Sequence, residues 1–407
     1  MLQDMPLGDD TSVGLVPEVT LTARSYCTGY TGLEIAVRAA LDDFEVLSHS
    51  DIKPAAGVLL DHYCPDIPNL GDMRAIDYSA LAPPDIMIGS WPCQPHSAAG
   101  KRLGEADPRD LWPEFERAID AHRPAIFFGE NVARIATNGE LRRVVSSLAR
   151  RGYVGAWRSV RASDVGACHR RDRMFLVAID PGRADLLDGR SGGDVDVVRG
   201  LRGDGLTLLP TPTVRDVHGA GGQDGKQGSL NLRSAVALLP TPKATDGTKG
   251  GPGMRGSSGD LMLPSAVMQL LPTPCARDWR EGSEFVARPE KIKLTHTIKA
   301  LDDAGERWGP YAQAVAHHEQ VSGHPAPEPT QLSAKTGKGQ LSARFVEWMM
   351  MLPEGWVTDV PNLVDSPRKS ERNVMLSLLG DGVVPAQGAV AFRFLLDHLA
   401  VRLEVAA

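Results

Sequence analysis

Between Val19 and about Asp180 the chain alternates short apolar runs with stretches of helical period. The runs predict strands near Thr20 to Thr28, Val46 to His49, Asp85 to Gly89, Ala125 to Phe128 and Met174 to Ile179. The stretches between them predict helices over Gly32 to Leu41, Leu111 to Ala121 and Glu140 to Arg150, because apolar positions three and four residues apart share one helix face. Strands that alternate with helices imply an α/β fold on a parallel sheet, with its working edge where the strand C-termini open into loops.

The composition then shifts, with 18 of the 42 glycines falling between residues 181 and 260, so a second domain is expected to begin there. Inside it a unit recurs: Leu208-Leu209-Pro210-Thr211-Pro212, Leu238-Leu239-Pro240-Thr241-Pro242 and Leu270-Leu271-Pro272-Thr273-Pro274. The starts lie 30 and 32 residues apart, and an aspartate follows each copy (Asp216, Asp246, Asp278). Self-similarity at this period signals a repeated supersecondary unit. From Leu341 the pattern is compact again, with apolar Phe345 to Leu352, a turn at Gly380 to Pro385 and a final helix over Gly388 to Leu403. The stripe Val390, Phe394, Leu395, Leu399 and Leu403 on that helix is expected to pack back on the first domain. The expected organisation is 1–190, 191–340 and a returning segment, 341–407.

At 407 residues and 42% hydrophobic content the chain can bury a sizeable core. Its five cysteines, Cys27, Cys64, Cys93, Cys168 and Cys275, include no CxxC pair. That spacing suits neither a disulfide framework nor a zinc site and points to a reducing compartment. No metal site is expected, and no apolar run approaches the roughly 20 residues of a membrane span. With no signal-peptide pattern at the N-terminus, a cytoplasmic protein is expected. A net charge of −7 argues against a nucleic-acid partner, but between Arg134 and Arg173 ten arginines stand against three acids. That excess can face a phosphate backbone, whereas Arg142, Arg143, Arg150 and Arg151 taken alone read better as a solvated helix face.

Several loops carry candidate chemistry. Gly29-Tyr30-Thr31-Gly32-Leu33-Glu34 lies between the first strand and its helix, where glycines let a backbone approach a ligand, although most such loops are only tight turns. Asp51 follows the second strand, 19 residues after Gly32, where an acid can bind ribose hydroxyls. Asp72 can accept from an adenine amine or merely cap a turn. A GxxxxGK loop is missing from the sequence, which favours a nucleoside without a phosphate chain, such as S-adenosylmethionine, over ATP.

Pro92-Cys93-Gln94 follows the apolar run Ile86 to Gly89, which makes Cys93 either a nucleophile or an inert core thiol. The flanking proline and the polar, glycine-containing stretch Ser97 to Gly104 favour the nucleophile. Glu130, in Glu130-Asn131-Val132 after the strand ending at Phe128, can donate or share a proton, or be no more than an exposed strand end. His169-Arg170-Arg171-Asp172-Arg173 leads into Met174 to Val177, and strand alternation puts Arg171 and Arg173 on one face as hydrogen-bond donors.

The ordered set Gly29 to Leu33, Asp51, Asp72, Pro92-Cys93-Gln94-Pro95, Glu130-Asn131-Val132, His169 to Arg173 and Gly380 to Val383 resembles the DNA cytosine-5 methyltransferases of bacteria and their phages. The resemblance covers about residues 19 to 180 and 341 to 403. It implies a Rossmann-like, S-adenosylmethionine-dependent methyltransferase domain with a second, smaller target-recognition domain at about residues 190 to 340. It implies catalytic roles for Cys93, Glu130, Arg171 and Arg173, with Cys93 attacking C6 of a flipped cytosine, Glu130 holding N3 and the exocyclic amine, and the arginines holding O2 and the loop. It also implies that S-adenosyl-L-methionine is bound by Tyr26, Thr28, Gly29, Tyr30, Gly32, Leu33, Asp51, Ile52, Asp72, Met73, Gly89, Pro92, Asp381 and Val383. Ser97 to Trp112 is similar to the family's mobile catalytic loop and its following helix.

The chain departs from the family pattern at Thr31 (usually glycine), His96 (usually phenylalanine), His169 (usually glutamine) and Asp381 (usually asparagine). Thr31, having a Cβ, is expected to avoid positive φ. In the recognition region Arg215, Lys243, Arg277 and Arg280 are candidate contacts to the major groove, while the pentapeptides themselves are expected to anchor each unit to the one before. The expected partner is double-stranded DNA, bound by a monomer that either protects host or phage DNA or partners a cognate restriction endonuclease. An RNA cytosine-5 methyltransferase and a catalytically inactive DNA-binding homologue are the alternatives.

Overall fold

The computed structural model of the chain describes residues 20–41, 44–92, 110–183, 271, 273–275, 294, 297–298, 307–333, 337, 339–364 and 370–406. Its centre is a six-stranded sheet in the order β2-β1-β3-β4-β6-β5, built from β1 (Leu21–Tyr26), β2 (Phe44–Ser50), β3 (Ile86–Ser90), β4 (Ile126–Val132), β5 (Val154–Arg161) and β6 (Asp172–Ile179). Helices α1 (Gly32–Arg38), α2 (Pro54–Tyr63), α3 (Trp112–His122) and α4 (Glu140–Arg150) connect or flank the strands. Farther along come α5 (Ala312–Ser322), the short pair β7 (Thr330–Leu332) and β8 (Gly339–Leu341), α6 (Ala343–Met349), α7 (Glu371–Asp381) and α8 (Pro385–Ala406).

Both faces of the sheet are covered, which is why its strands read as continuous apolar runs rather than alternating ones. Adjacent Phe127 and Phe128 on β4 show the consequence. Phe127 enters a cluster with Trp112, Phe115 and Leu176, while Phe128 enters the opposite one with Phe175, Val177 and Phe392. Each is fully buried, a contribution of about 1.5–3 kcal/mol per phenylalanine by area.

Four strands are parallel as expected, but β6 runs antiparallel to β4 and β5 antiparallel to β6. The start of β6 therefore lies beside the C-terminal ends of the parallel strands, where Arg173 pairs with Val132. Neither β5 nor α2 shows in the apolar pattern. β5 is an edge strand whose Trp157, Arg158 and Ser159 are all exposed, so no alternation survives. The last helix begins at Pro385 and packs on α1, β5 and β6, but Phe394 of its expected stripe is 47% exposed and lies under the Arg158 guanidinium instead. The expected Gly380 turn is the last turn of α7, which ends at Asp381. Glu371–Ala400 is apolar and long enough to cross a membrane by length and composition, and 78% of its most apolar window is buried inside the fold.

The order of connections reverses between β1 and β3, since β1 leads out to β2 on one side and the chain then returns to β3 on the other. Ligands of open α/β sheets bind at such a switch point, beyond the strand C-termini.

Candidate active site

A cavity of about 490 Å³ opens at that switch point, within the size range of small-molecule sites. Its walls include Tyr26, Thr28, Gly29, Tyr30, Gly32, Leu33, Asp51, Ile52, Asp72, Met73, Pro92, Asp381 and Val383 from the expected cofactor set, and Glu130 and Arg173 from the expected catalytic set. Gly89 is not among the lining residues. It sits behind them, where a Cβ would lie 2.4 Å from the ring of Phe115.

The glycine loop and the second strand are tied to each other. The Gly29 amide donates to Asp51 Oδ2 at 2.8 Å, and the Lys53 amide donates to Oδ1 at 2.8 Å, so the Asp51 carboxylate is fixed in orientation. Asp72 Oδ1 accepts from the Arg74 amide at 3.0 Å and so caps a short 3-10 turn. Ile52 is 67% exposed, an apolar side chain standing at the cavity wall.

Residues from the far end of the chain close the other side. The Tyr30 hydroxyl donates to the Val383 carbonyl at 2.8 Å, and Trp356 Nε1 donates to the Tyr30 carbonyl at 2.9 Å. A Cβ at Gly382 would fall within 1.9 Å of the Tyr30 ring, so this contact needs glycine. Asp381 meets Lys53 at 2.7 Å. Burial alone would lower the Lys53 ammonium, but the charge of Asp381 and its hydrogen bond outweigh that and raise it. Thr31 overturns one expectation, for it sits at φ 67°, ψ 17° as the cap of α1. Its hydroxyl donates to the Tyr30 carbonyl and its amide to the Thr28 carbonyl at 3.0 Å, and these local bonds hold a conformation that β-branched residues ordinarily avoid.

Parallel register brings Ser90 of β3 beside Glu130 of β4. The Ser90 hydroxyl donates to Glu130 Oε2 at 2.8 Å, while Arg173 Nε pairs with Oε1 at 2.9 Å. Both oxygens of a nearly buried carboxylate are therefore held, and Glu130 is no solvated strand end. Asn131 Nδ2 donates to the Trp91 carbonyl at 2.9 Å, fixing the loop that leads to Pro92. Cys93, His96 and the Ser97 to Gly104 loop lie outside the described residues, as do Arg215, Lys243, Arg277 and Arg280.

Arg171 and Arg173 take different positions. Arg171 precedes β6, at φ 27°, so strand alternation does not apply to it. Its guanidinium donates to the carbonyls of Pro274 at 2.9 Å, Gly380 at 3.0 Å and Gly382, and it does not line the cavity. Burial first, then the neighbouring Arg173, pushes its pKa down to about 9. Of the other arginines in the basic stretch, Arg143 is taken up by Asp110 and Glu140 and Arg151 by Glu116 and Asp120.

Ser50, Lys53, Ser90 and Trp91 also line the cavity and are missed by sequence reasoning. The one signal for Ser90 is its position at the end of β3, which a parallel register sets beside Glu130. Cys27 lines the cavity too, but burial and then the charge of Asp51 push its thiol up to about 12, which keeps it un-ionised and a poor nucleophile near neutral pH.

Residues 22–189 match the family described as C-5 cytosine-specific DNA methylase. The Type II methyltransferase M.NlaIV of Neisseria lactamica is 31% identical over 166 residues, which is 38% of this chain and 39% of that protein. M.NgoMIV of Neisseria gonorrhoeae is 30% identical over 162 residues, 39% of this chain and 51% of that protein. M.NaeI of Lentzea aerocolonigenes is 32% identical over 168 residues, 39% and 40% respectively. The chain thus spans 39–51% of the length of these relatives.

Proposed function

The chain belongs, through residues 22–189, to the C-5 cytosine-specific DNA methylase family, and on that premise we propose that it transfers a methyl group from S-adenosyl-L-methionine to C5 of cytosine in double-stranded DNA. The observation that carries this reading is one cavity lined by both the Glu130–Arg173 pair and the Gly29–Asp51 loop. A base and a nucleoside cofactor need such adjacent holders.

The cavity residues suit the cofactor. Asp51, oriented by two amides, offers its remaining lone pairs to ribose hydroxyls. Ile52 gives apolar cover to a base ring, and Asp72 and Met73 flank it. Among the described residues the lining carries four carboxylates, Asp51, Asp72, Glu130 and Asp381, against three cations, Lys53, Arg74 and Arg173. A cavity with that surplus negative charge favours a cationic sulfonium. When bound, S-adenosyl-L-methionine supplies an electrophilic methyl group.

The chain's own residues prepare the acceptor. The Cys93 thiolate adds to C6 of cytosine, which pushes electron density onto C5. Glu130 holds N3 and the exocyclic amine, and Arg173, fixed by its pairing with Glu130, donates to O2. Once C5 carries the methyl group, its proton leaves to a base, the C6–S bond breaks and the thiolate returns. Because C5 and C6 are stacked inside a duplex, the base must first be extruded. The protein then serves a restriction-modification system, beside a cognate endonuclease, or protects host or phage DNA.

The test supplies labelled S-adenosylmethionine with unmethylated DNA and maps 5-methylcytosine by bisulfite sequencing. Sequence-specific label that Cys93→Ala abolishes supports the reading. Label in tRNA alone indicates an RNA methyltransferase, and sequence-selective DNA binding without transfer indicates an inactive homologue.

A further inference from the structure

The third Leu-Leu-Pro-Thr-Pro copy meets the first domain through residues that all three copies share. The Leu271 amide donates to the Cys168 carbonyl at 2.9 Å, Leu271 bridges His169 in parallel register, and its side chain is 2% exposed. Two residues on, the Thr273 hydroxyl accepts from the Arg171 amide at 3.0 Å. The Pro274 carbonyl accepts from the Arg171 guanidinium at 2.9 Å. The second leucine, the threonine and the last proline of the pentapeptide thus each make a bond to the Cys168–Arg171 edge. That contact joins the recognition region to the first domain.

The polar bonds of the receiving edge come from the Cys168 carbonyl, the Arg171 amide and the Arg171 guanidinium, and they meet positions that residues 209–212 and 239–242 repeat. All three segments read Leu-Pro-Thr-Pro. We propose that the Cys168–Arg171 edge is a docking site for this pentapeptide, and that the three copies compete for it one at a time. Exchange of the docked copy alters which segment follows the dock, and so gives one catalytic domain three alternative recognition segments. The docking rests on the fold and the repeat alone, so it stands or falls independently of the methyl-transfer reading.

Competition makes the copies redundant, and redundancy is measurable. Paired substitutions disable one copy at a time, Leu271→Asp with Thr273→Val in the third, Leu209→Asp with Thr211→Val in the first, and Leu239→Asp with Thr241→Val in the second. The melting temperature of the full chain is then followed. Each single-copy variant is expected to lose less than about 3 °C, and the variant with all three disabled several times more. A third-copy variant that falls as far as the triple one, or a triple variant that does not fall, overturns the proposal. A second readout needs no destabilised variant: the unsubstituted chain is grown with a photoreactive leucine analogue and irradiated, and cross-links to the peptide holding Cys168 are mapped. Cross-links from all three copies support competition. Cross-links from residues 270–274 alone contradict it.

Discussion

Arg173 Nε lies 2.9 Å from Glu130 Oε1, and this pair joins the first residues of an antiparallel strand to the last residues of a parallel one. β6 turns against its neighbours, so its N-terminus arrives where the C-terminus of β4 ends. The role proposed for Glu130 therefore depends on a strand direction that the apolar pattern does not encode.

Glu130→Gln keeps the shape of the side chain but loses its charge, and Arg173→Ala leaves Glu130 to Ser90 alone. Each is expected to lower the rate of methyl transfer about 100-fold or more, the usual cost of removing one fixed donor or acceptor from a reacting centre. Because the cofactor loop bonds Gly29–Asp51 and Tyr30–Val383 are untouched, equilibrium dialysis should find S-adenosylhomocysteine bound within about threefold of the unsubstituted protein, a difference of less than 1 kcal/mol.

Much of this site is legible in the chain. The loop Gly29 to Leu33, Asp51, Asp72 and Glu130 are found because each follows an apolar run, and a parallel sheet delivers such positions to one edge. What escapes is set by non-local geometry. Lys53 is held at the cavity by Asp381, 328 positions away, and the Tyr30 loop is held from behind by Trp356, 326 positions away. Arg171 and Arg173 look equivalent by spacing, yet a left-handed residue before the strand sends Arg171 to the backbone of the last motif.

Arg171→Ala removes the donor for three carbonyls, those of Pro274, Gly380 and Gly382. Leaving them unpaired in the interior is expected to cost about 3 kcal/mol or more, read from urea unfolding. Arg171→Lys keeps the charge but not the planar fork and should fall between. A variant of unchanged stability that lost only activity would instead give Arg171 a direct role at the base.

Two buried histidines give the fold an acid limit. His169 Nε2 donates to the Met349 carbonyl at 2.8 Å, and burial pushes its pKa down to about 3. His318 Nδ1 accepts from the Cys168 amide at 3.1 Å, and burial pushes it down to about 4. Both titrate near 6.5 once unfolded, so the unfolded chain binds more protons below that value. Their contribution is fully present above about pH 6.5 and is lost as pH falls toward 4 and then 3, by up to about 1.4 kcal/mol per pH unit for each ring. Urea midpoints at pH 7 and pH 5 measure the loss, which His169→Gln, able to donate to the same carbonyl, should reduce.

Thr31 holds φ 67° without the freedom of glycine. Thr31→Gly is expected to stabilise the chain by about 1 kcal/mol, since it relieves the Cβ contact of the left-handed conformation. Differential scanning fluorimetry would register this as a rise of about 1 °C.

The most direct test of the central claim traps the base on the protein. Duplex DNA carrying 5-fluorocytosine has no C5 proton to lose, so a thiolate that has added to C6 cannot be eliminated after methyl transfer. Incubation with S-adenosylmethionine should give a DNA–protein complex that survives denaturation, with the DNA on the peptide containing Cys93, and Cys93→Ala should give none. A complex attached at another residue, or methylated cytosine formed at the normal rate by Cys93→Ala, would contradict the account.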